Sequence, residues 1–249
     1  MELIAEIGQA HDGSLGILHS YIDRLSKVGI KIIKFQMHIA EAESSEWEPF
    51  RINFSYEDDT RYDYWSRMSF SELEWKGIKE HCDSNEIEFL CTPFSMQSVD
   101  VLERLNVKRY KIGSADATNK LLLNKIAKTK KEVIMSTGMS NFEDLDCAVE
   151  IFKKHGVPFS LLYCVSKYPS TESDIDLNSV NILKERYDCQ VGFSDHSGKI
   201  WPLVAASALG ADKLEFHAVF DKEMFGPDAS ASLEIQEIHT LIELSLIHI

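Results

Sequence analysis

Short runs rich in β-branched residues alternate with helical patterns eight times along this chain of 249 residues, and this repeat constrains the fold more than any other feature. The predicted strands are residues 3–7, 32–36, 87–91, 109–113, 132–136, 160–164, 190–194 and 213–217. The predicted helices are residues 15–29, 71–85, 95–105, 119–129, 141–155, 177–187 and 199–210, with a last helix from about Ser232 to the C-terminus. Eight parallel strands joined by helical crossovers close naturally into a barrel. The repeat predicts an α/β protein with a (β/α)8 TIM barrel, and an open doubly wound sheet is the alternative.

One connection is longer than the others. Between Gln36 and the predicted helix at residues 71–85, residues 37–70 are acidic and aromatic and show no clear helical or strand period. A structureless loop of this length is usually a lid or a binding loop. The alternative is a surface excursion that folds on its own aromatic side chains.

Charge and cysteine content exclude several classes of function. With 26 basic and 40 acidic residues the formal net charge is −14, which would repel a phosphate backbone, so no nucleic-acid partner is expected. Five cysteines without a C-x-x-C pair indicate a reduced, cytoplasmic protein. The sequence shows neither a signal peptide nor an apolar run of 18 residues, so no membrane partner is expected. No linker divides the chain, and residues 1–249 are expected to form a single barrel domain that binds small molecules.

Polar residues recur near the carboxyl ends of the predicted strands, where TIM barrels carry their active sites. Because side chains on a strand alternate between its two faces, those two residues apart share a face. This parity directs one set of polar side chains into the barrel: Glu6, Lys34, Gln36, Lys111, Ser136, Ser194, His196, Glu215 and His217. Burying so many charges in an apolar interior would be costly, so the set indicates a functional site.

Two chemistries are expected within this set. Lys34 and Lys111 together indicate an anion site, and the hydroxyls of Ser114, Ser136 and Ser194 beside them suit phosphate or carboxylate oxygens. His196 and His217 follow neighbouring strands, so their imidazoles can bind one divalent ion. Two histidines with oxygen ligands suit Mn²⁺, Fe²⁺, Zn²⁺ or Co²⁺.

Nine ordered segments are specific enough to indicate a family. They are AEIGQAHDGSL (5–15), IKFQMHI (33–39), CTPFS (91–95), YKIGSAD (110–116), MSTGMS (135–140), SKYPS (166–170), GFSDHS (192–197), LEFH (214–217) and GPDAS (226–230). Together they resemble the sialic acid synthases, the N-acetylneuraminate synthase family that includes legionaminate and pseudaminate synthases and spore coat polysaccharide proteins.

The resemblance implies a transferase that uses phosphoenolpyruvate. Such enzymes condense it with an N-acylmannosamine-type sugar, release phosphate and form a nine-carbon 2-keto sugar acid. They require a divalent metal, most commonly Mn²⁺, with Mg²⁺ or Co²⁺ as alternatives. They are homodimers in their full-length form, and they serve carbohydrate and polysaccharide biosynthesis.

Roles for individual residues are also implied by the resemblance. The metal ligands are His196 and His217. The phosphoenolpyruvate contacts are Lys34, Thr92, Lys111, Ser114, Ser136 and Ser194, with Gln36 also counted among the substrate-binding residues. Sugar contacts fall on Asp116, Tyr168 and Asp228. Glu6 and Glu215 orient water or move protons, and Asp228 is a second carboxylate for the water that adds to the substrate.

Two alternatives and one departure stay open at this point. A metal-dependent aldolase or lyase could use the same barrel without phosphoenolpyruvate, and an inactive barrel could simply bind a ligand. Family members carry an antifreeze-like domain after the barrel, whereas this sequence stops at Ile249 in the apolar run LSLIHI. A chain truncated in its last helix, with the C-terminal domain absent, is therefore expected.

Overall fold

Eight parallel strands form a closed barrel in the computed structural model, which describes residues 1–50 and 52–246. The strands are β1 (Glu2–Glu6), β2 (Ile32–Met37), β3 (Glu88–Pro93), β4 (Arg109–Ile112), β5 (Glu132–Ser136), β6 (Phe159–Cys164), β7 (Gln190–Asp195) and β8 (Lys213–Val219). They pair in sequence order, and β1 also pairs with β8, from Glu2 with Lys213 to Glu6 with His217. The barrel prediction is thus confirmed. The open-sheet alternative is wrong, because the β1–β8 pairing joins what would be its two edges.

Helices connect and surround the strands. They are α1 (Leu15–Lys27), α2 (Ala40–Glu43), α3 (Arg61–Met68), α4 (Glu72–Ser84), α5 (Met96–Arg104), α6 (Lys120–Lys128), α7 (Phe142–His155), α8 (Asn178–Tyr187), α9 (Ile200–Ala208) and α10 (Ile235–Leu246). Their ends follow local chemistry, as α7 shows. Asn141 and Asp144 form a capping box at its start, and Gly156 ends it in the left-handed conformation. No helix in residues 1–50 and 52–246 is long and apolar enough to cross a membrane.

Two sequence predictions about connections need correction. The segment 37–70 is not structureless, since it contains the short helices α2 and α3. Thr60 and Asp63 form a capping box for α3, whose buried side chains Tyr64 and Met68 are one helical turn apart. This apolar stripe is too short to stand out among the polar residues around it.

The last predicted helix does not begin at Ser232. A two-residue strand, β9 (Leu233–Glu234), first pairs in parallel with β8, and α10 follows it. Residues 247–249, on which the expected truncation depends, lie outside the described residues.

The inside of the barrel is built in layers. Five aliphatic side chains form a small cluster separate from the main core: Ile4, Ile32, Leu90, Ile134 and Leu162. Two residues earlier on β1, β3 and β5 lie Glu2, Glu88 and Glu132, which form a charged base around Arg109 of β4 at 3.0, 2.6 and 3.4 Å. Two residues later on four of the five strands come polar side chains of the predicted site: Glu6, Lys34, Thr92 and Ser136. The aliphatic layer therefore separates the charged base from the predicted site.

Gly192 allows the strands to approach each other at the aliphatic layer. A Cβ atom at this position would lie 2.3 Å from the Lys213 carbonyl oxygen and 2.7 Å from Leu162 Cδ2. We expect Gly192→Ala to lower the free energy of unfolding by about 3 kcal/mol, measured by urea denaturation. The control is Gly77→Ala in α4, where a Cβ meets nothing within 4 Å. That change should raise stability by about 0.8 kcal/mol, and a similar effect from both variants would contradict the packing argument.

Candidate active site

The predicted polar side chains meet above the aliphatic layer, at the carboxyl ends of the strands. Nine of them are buried and share this enclosed region: Glu6, Lys34, Thr92, Lys111, Ser136, Ser194, His196, Glu215 and His217. The others are half-buried or exposed: Gln36, Ser114, Asp116, Tyr168 and Asp228. The nine buried residues come from seven different strands or strand ends, so only barrel closure brings them together.

Two lysines and two glutamates form a buried chain of alternating charge. Lys34 Nζ lies 2.6 Å from Glu6 Oε2 and 3.5 Å from Glu215 Oε1. Lys111 Nζ lies 3.5 Å from the same oxygen of Glu215. Each of these side chains is at most 5% exposed, and the mutual pairing offsets the cost of burying four charges.

The two lysines differ in their electrostatic environment. Burial lowers the pKa of Lys34, but the carboxylates of Glu215 and Glu6 raise it by more, so the net shift is upward. For Lys111 burial prevails and its pKa lies below the ordinary value. For the Glu6 carboxyl, burial acts in the opposite direction and raises the pKa. The Coulombic attraction of Lys34 and His217 outweighs this effect and holds the pKa of Glu6 well below its usual range. Glu6 is therefore ionised at neutral pH, and Lys111 is the cation that most lacks compensation.

Hydroxyl groups extend this cluster. Lys111 Nζ donates to Ser136 Oγ at 2.6 Å, and Ser194 Oγ donates to Glu215 Oε1 at 3.0 Å. Thr92 Oγ1 and Glu215 Oε2 are buried and have no hydrogen-bond partner among the described residues. Buried polar atoms are normally paired, so these two leave capacity for a polar ligand.

Ser114 lies in a second group of small polar side chains, next to the loop after β5. A Cβ atom on Gly138 would come within 2.4 Å of Ser166 Oγ, 2.7 Å of Cys164 Sγ and 2.9 Å of Ser114 Oγ. Ser114 Oγ and Cys164 Sγ are 3.1 Å apart. Glycine here leaves the loop backbone close to three polar groups, an arrangement suited to an anion.

His196 and His217 face each other with ring centroids 5.6 Å apart. His196 Nδ1 donates to the Val165 carbonyl oxygen at 2.8 Å, which leaves Nε2 as the basic nitrogen. Burial lowers the pKa of His196 to about 4, so its ring is neutral at pH 7. Neither ring nitrogen of His217 has a hydrogen-bond partner in the part of the chain that the structure describes, although Glu6 Oε2 is 3.3 Å from its Nε2.

These two imidazoles fit a divalent metal. Metal ligation requires neutral imidazole nitrogens, and a backbone carbonyl on the other nitrogen is the usual support for a ligating histidine. The unpaired nitrogens of buried His217 give the same indication. Residues 1–50 and 52–246 contain no group of three His, Cys, Asp or Glu side chains with metal-ligand geometry, so a metal here would complete its coordination with water or substrate.

The three residues predicted to contact sugar are not equally close to this centre. Tyr168 stacks on His196 with centroids 4.1 Å apart, and its hydroxyl donates to His196 Nε2 at 2.9 Å. A metal bound at this nitrogen would replace that hydrogen bond. Asp228 Oδ2 lies 3.7 Å from His217 Nδ1, and burial raises the pKa of its carboxyl. Asp116 stands apart in the 3-10 helix after β4, where it accepts a hydrogen bond from Asn119 Nδ2 at 3.0 Å.

Several polar residues of the site were not predicted. Asp195 is buried between two predicted positions, where its Oδ2 accepts hydrogen bonds from the backbone and hydroxyl of Ser197, and burial raises its pKa to about 6. Gln9 and His38 are also buried and contact Gln36. His38 could have been found, because it continues the two-residue spacing of Lys34 and Gln36. No pattern in the sequence placed Gln9 in the site, because it lies in a turn, where the two-residue alternation of a strand does not apply.

The chain matches the NeuB family over residues 21–246. It is 36% identical to the N,N'-diacetyllegionaminic acid synthase of Campylobacter jejuni, over 96% of this chain and 73% of that protein. It is 32% identical to the enzyme of the same name from Legionella pneumophila, over 97% of this chain and 70% of that one.

Solved structures show the same relationship. The N-acetylneuraminic acid synthetase of Leptospira borgpetersenii, determined in complex with citrate, superposes with a TM-score of 0.89. The two are 31% identical, and the match covers 98% of this chain and 82% of that one. The resemblance found in the sequence is thereby confirmed, and the chain belongs to the NeuB family of sialic-acid-type synthases.

Proposed function

We propose that this protein condenses phosphoenolpyruvate with an N-acylated mannosamine-type sugar, releases inorganic phosphate and forms a nine-carbon 2-keto sugar acid. The observation that carries the proposal is the pair of buried lysines, Lys34 and Lys111, in the same enclosed polar layer as the imidazole pair. A trianionic substrate needs cations in a dry site, and a chain with a net charge of −14 would otherwise repel it.

The anion would be held by the lysines and the neighbouring hydroxyls. In the structure both lysines face the carboxylate of Glu215. A bound phosphate or carboxylate would accept hydrogen bonds from Lys111 and from hydroxyls such as Ser136 and Thr92, and the unpaired Thr92 Oγ1 is available for this contact. Charge-assisted hydrogen bonds of this kind are the strong ones.

The reaction has two bond-forming steps. C3 of phosphoenolpyruvate bonds to the aldehyde carbon of the open-chain sugar, and water then adds at C2. The tetrahedral intermediate collapses when its C2–O bond to phosphate breaks. Glu6 is ionised and can accept the proton of the attacking water, while Asp228, with its raised pKa, can hold a proton nearby.

A divalent metal, Mn²⁺ or alternatively Mg²⁺ or Co²⁺, would be held by His196 and His217. When bound, it would supply Lewis-acid stabilisation of negative charge on the sugar oxygen. Tyr168, stacked on His196, would then pack against the sugar, and fixing both substrates in register supplies a further part of the rate.

The proposal is tested by phosphate release. We expect inorganic phosphate to form from phosphoenolpyruvate only when an N-acylmannosamine and a divalent metal are both present, with a nine-carbon 2-keto acid detected by mass spectrometry. Removal of metal by EDTA should stop turnover, and Mn²⁺ should restore it. Cleavage of a 2-keto acid to pyruvate without phosphate chemistry would instead identify an aldolase, and the synthase proposal would be abandoned.

A further inference from the structure

The side-chain amide of Gln36 is held at both ends by protein groups. Its Nε2 donates to Glu6 Oε1 at 2.6 Å. Its Oε1 accepts a hydrogen bond from Gln9 Nε2, and the same Gln9 amino group lies 3.1 Å from His38 Nε2. Gln9 and His38 are 7% and 4% exposed, so this connection is shielded from water.

His38 is held as firmly as Gln36. Its ring is stacked between Trp65 and Phe94, with centroid distances of 3.8 and 4.3 Å and interplanar angles of 9° and 11°. Its Nδ1 lies 3.0 Å from each carboxylate oxygen of Glu43, and Glu43 Oε1 also accepts from the Ile39 amide at 2.9 Å. The carboxylate therefore draws the ring proton to Nδ1 and leaves Nε2 as an acceptor.

This tautomer determines how the amides are oriented. With His38 Nε2 as an acceptor, the neighbouring atom of Gln9 must be its amino nitrogen, which has two hydrogens. One hydrogen points to His38 Nε2 and the other to Gln36 Oε1, although these two acceptors are themselves only 3.2 Å apart. Gln36 must then turn its amino group towards Glu6. The reverse orientation would place an amide oxygen against a carboxylate, and in a buried network that mismatch is costly.

We propose that Gln9 and the His38–Glu43 pair are positioning residues that fix the amide of Gln36 so that it holds the Glu6 carboxylate in its reactive orientation. Gln36 then acts on Glu6 as well as lining the site. The inference rests on the proposed function, because the orientation of Glu6 affects turnover only if Glu6 handles the proton of the attacking water.

Turnover of Gln9→Met tests the proposal. The side chain keeps its length but loses both donors. We expect kcat to fall by about 10- to 100-fold, as for other groups that orient an active residue, while KM for phosphoenolpyruvate stays near the wild-type value. Because Gln9 acts through Gln36, the double variant Gln9→Met/Gln36→Met should be no slower than Gln36→Met alone.

Matched variants separate positioning from general damage. Glu43→Gln keeps an acceptor for His38 Nδ1 and should retain most of the turnover that Glu43→Leu loses. Tyr110→Phe removes a buried hydroxyl that donates to Glu103 at 2.7 Å, outside the site, and should leave kcat unchanged. Wild-type kcat in Gln9→Met, additive losses in the double variant, or a change confined to KM would overturn the proposal.

A measurement without turnover distinguishes this inference from the proposed function. The ¹⁵N chemical shifts of the His38 ring in the wild-type protein should show a proton on Nδ1 and none on Nε2. A proton on Nε2 would overturn the positioning network even if phosphate release occurs. Conversely, the expected tautomer in a protein that releases no phosphate would place the failure in the proposed function.

Discussion

Replacing His217 with alanine is expected to lower kcat/KM on the order of a thousandfold and to remove tight Mn²⁺ binding. Lewis-acid stabilisation of the developing charge is worth several kcal/mol, and each 1.4 kcal/mol or so is a factor of about ten in rate. Among the described residues His217 has no hydrogen bond to lose on either ring nitrogen, so the change removes the proposed ligand atoms and breaks only the longer contacts of the ring with Glu6 at 3.3 Å and Asp228 at 3.7 Å. Steady-state kinetics with Mn²⁺ and isothermal titration calorimetry would measure the two effects.

His239→Ala is the matched control for this variant. His239 lies on α10, where its ring is 3.8 Å from Glu243 and its side chain is 46% exposed. Both metal affinity and turnover should stay at wild-type values. If His217→Ala also bound Mn²⁺ and turned over normally, the imidazole pair would not be a metal site.

The second large effect is expected from Lys111→Met. Without this cation the site loses a partner for the substrate anion, and we expect kcat/KM for phosphoenolpyruvate to fall at least about a hundredfold, mainly through KM. The thermal stability of Lys111→Met, unlike its activity, should not fall. A lysine whose pKa is lowered by folding destabilises the protein at pH values below its ordinary, unfolded pKa, because its charged form is disfavoured in the folded state. At neutral pH the variant should therefore unfold at the same temperature as the wild type or a higher one.

A third buried lysine of the barrel, Lys213, provides the control for Lys111→Met. Lys213 Nζ contacts Glu2 and Gln190, each at 2.9 Å, in the charged base on the other side of the aliphatic layer. Lys213→Met should lower the thermal midpoint and leave KM for phosphoenolpyruvate unchanged. Equal effects of both lysine variants on KM would show that Lys111 has no special relation to the substrate.

The fold was predictable because the determining pattern is local and repeated. Each strand has a short apolar run followed by its own helix, and β5 was predicted with its observed bounds, Glu132–Ser136. The strand parity that directed Lys34 and Glu215 inward depends only on the two-residue period. The pairing of these two side chains was out of reach, because it depends on barrel closure between residues 181 positions apart.

What sequence reasoning missed depends on contacts between distant segments. Helix α3 is stabilised where Arg67 bridges Asp58 at 2.8 Å and Asp12 at 2.6 Å, a contact from the 37–70 segment to the loop after β1. The role we infer for Gln9 is of the same kind, since its partners lie 27 and 29 residues away. Neither has a periodic signature in the sequence.

The thin aliphatic layer inside the barrel has a consequence for how such a protein can change. Ile4 and the four other residues of this layer lie between the predicted site and the charged base. Substitutions in the site that alter ligand preference therefore need not disturb the ion pairs of the charged base. Stability lost through such changes could be recovered by substitutions in the charged base, which do not contact the site. Directed evolution can thus treat the two ends of the barrel separately.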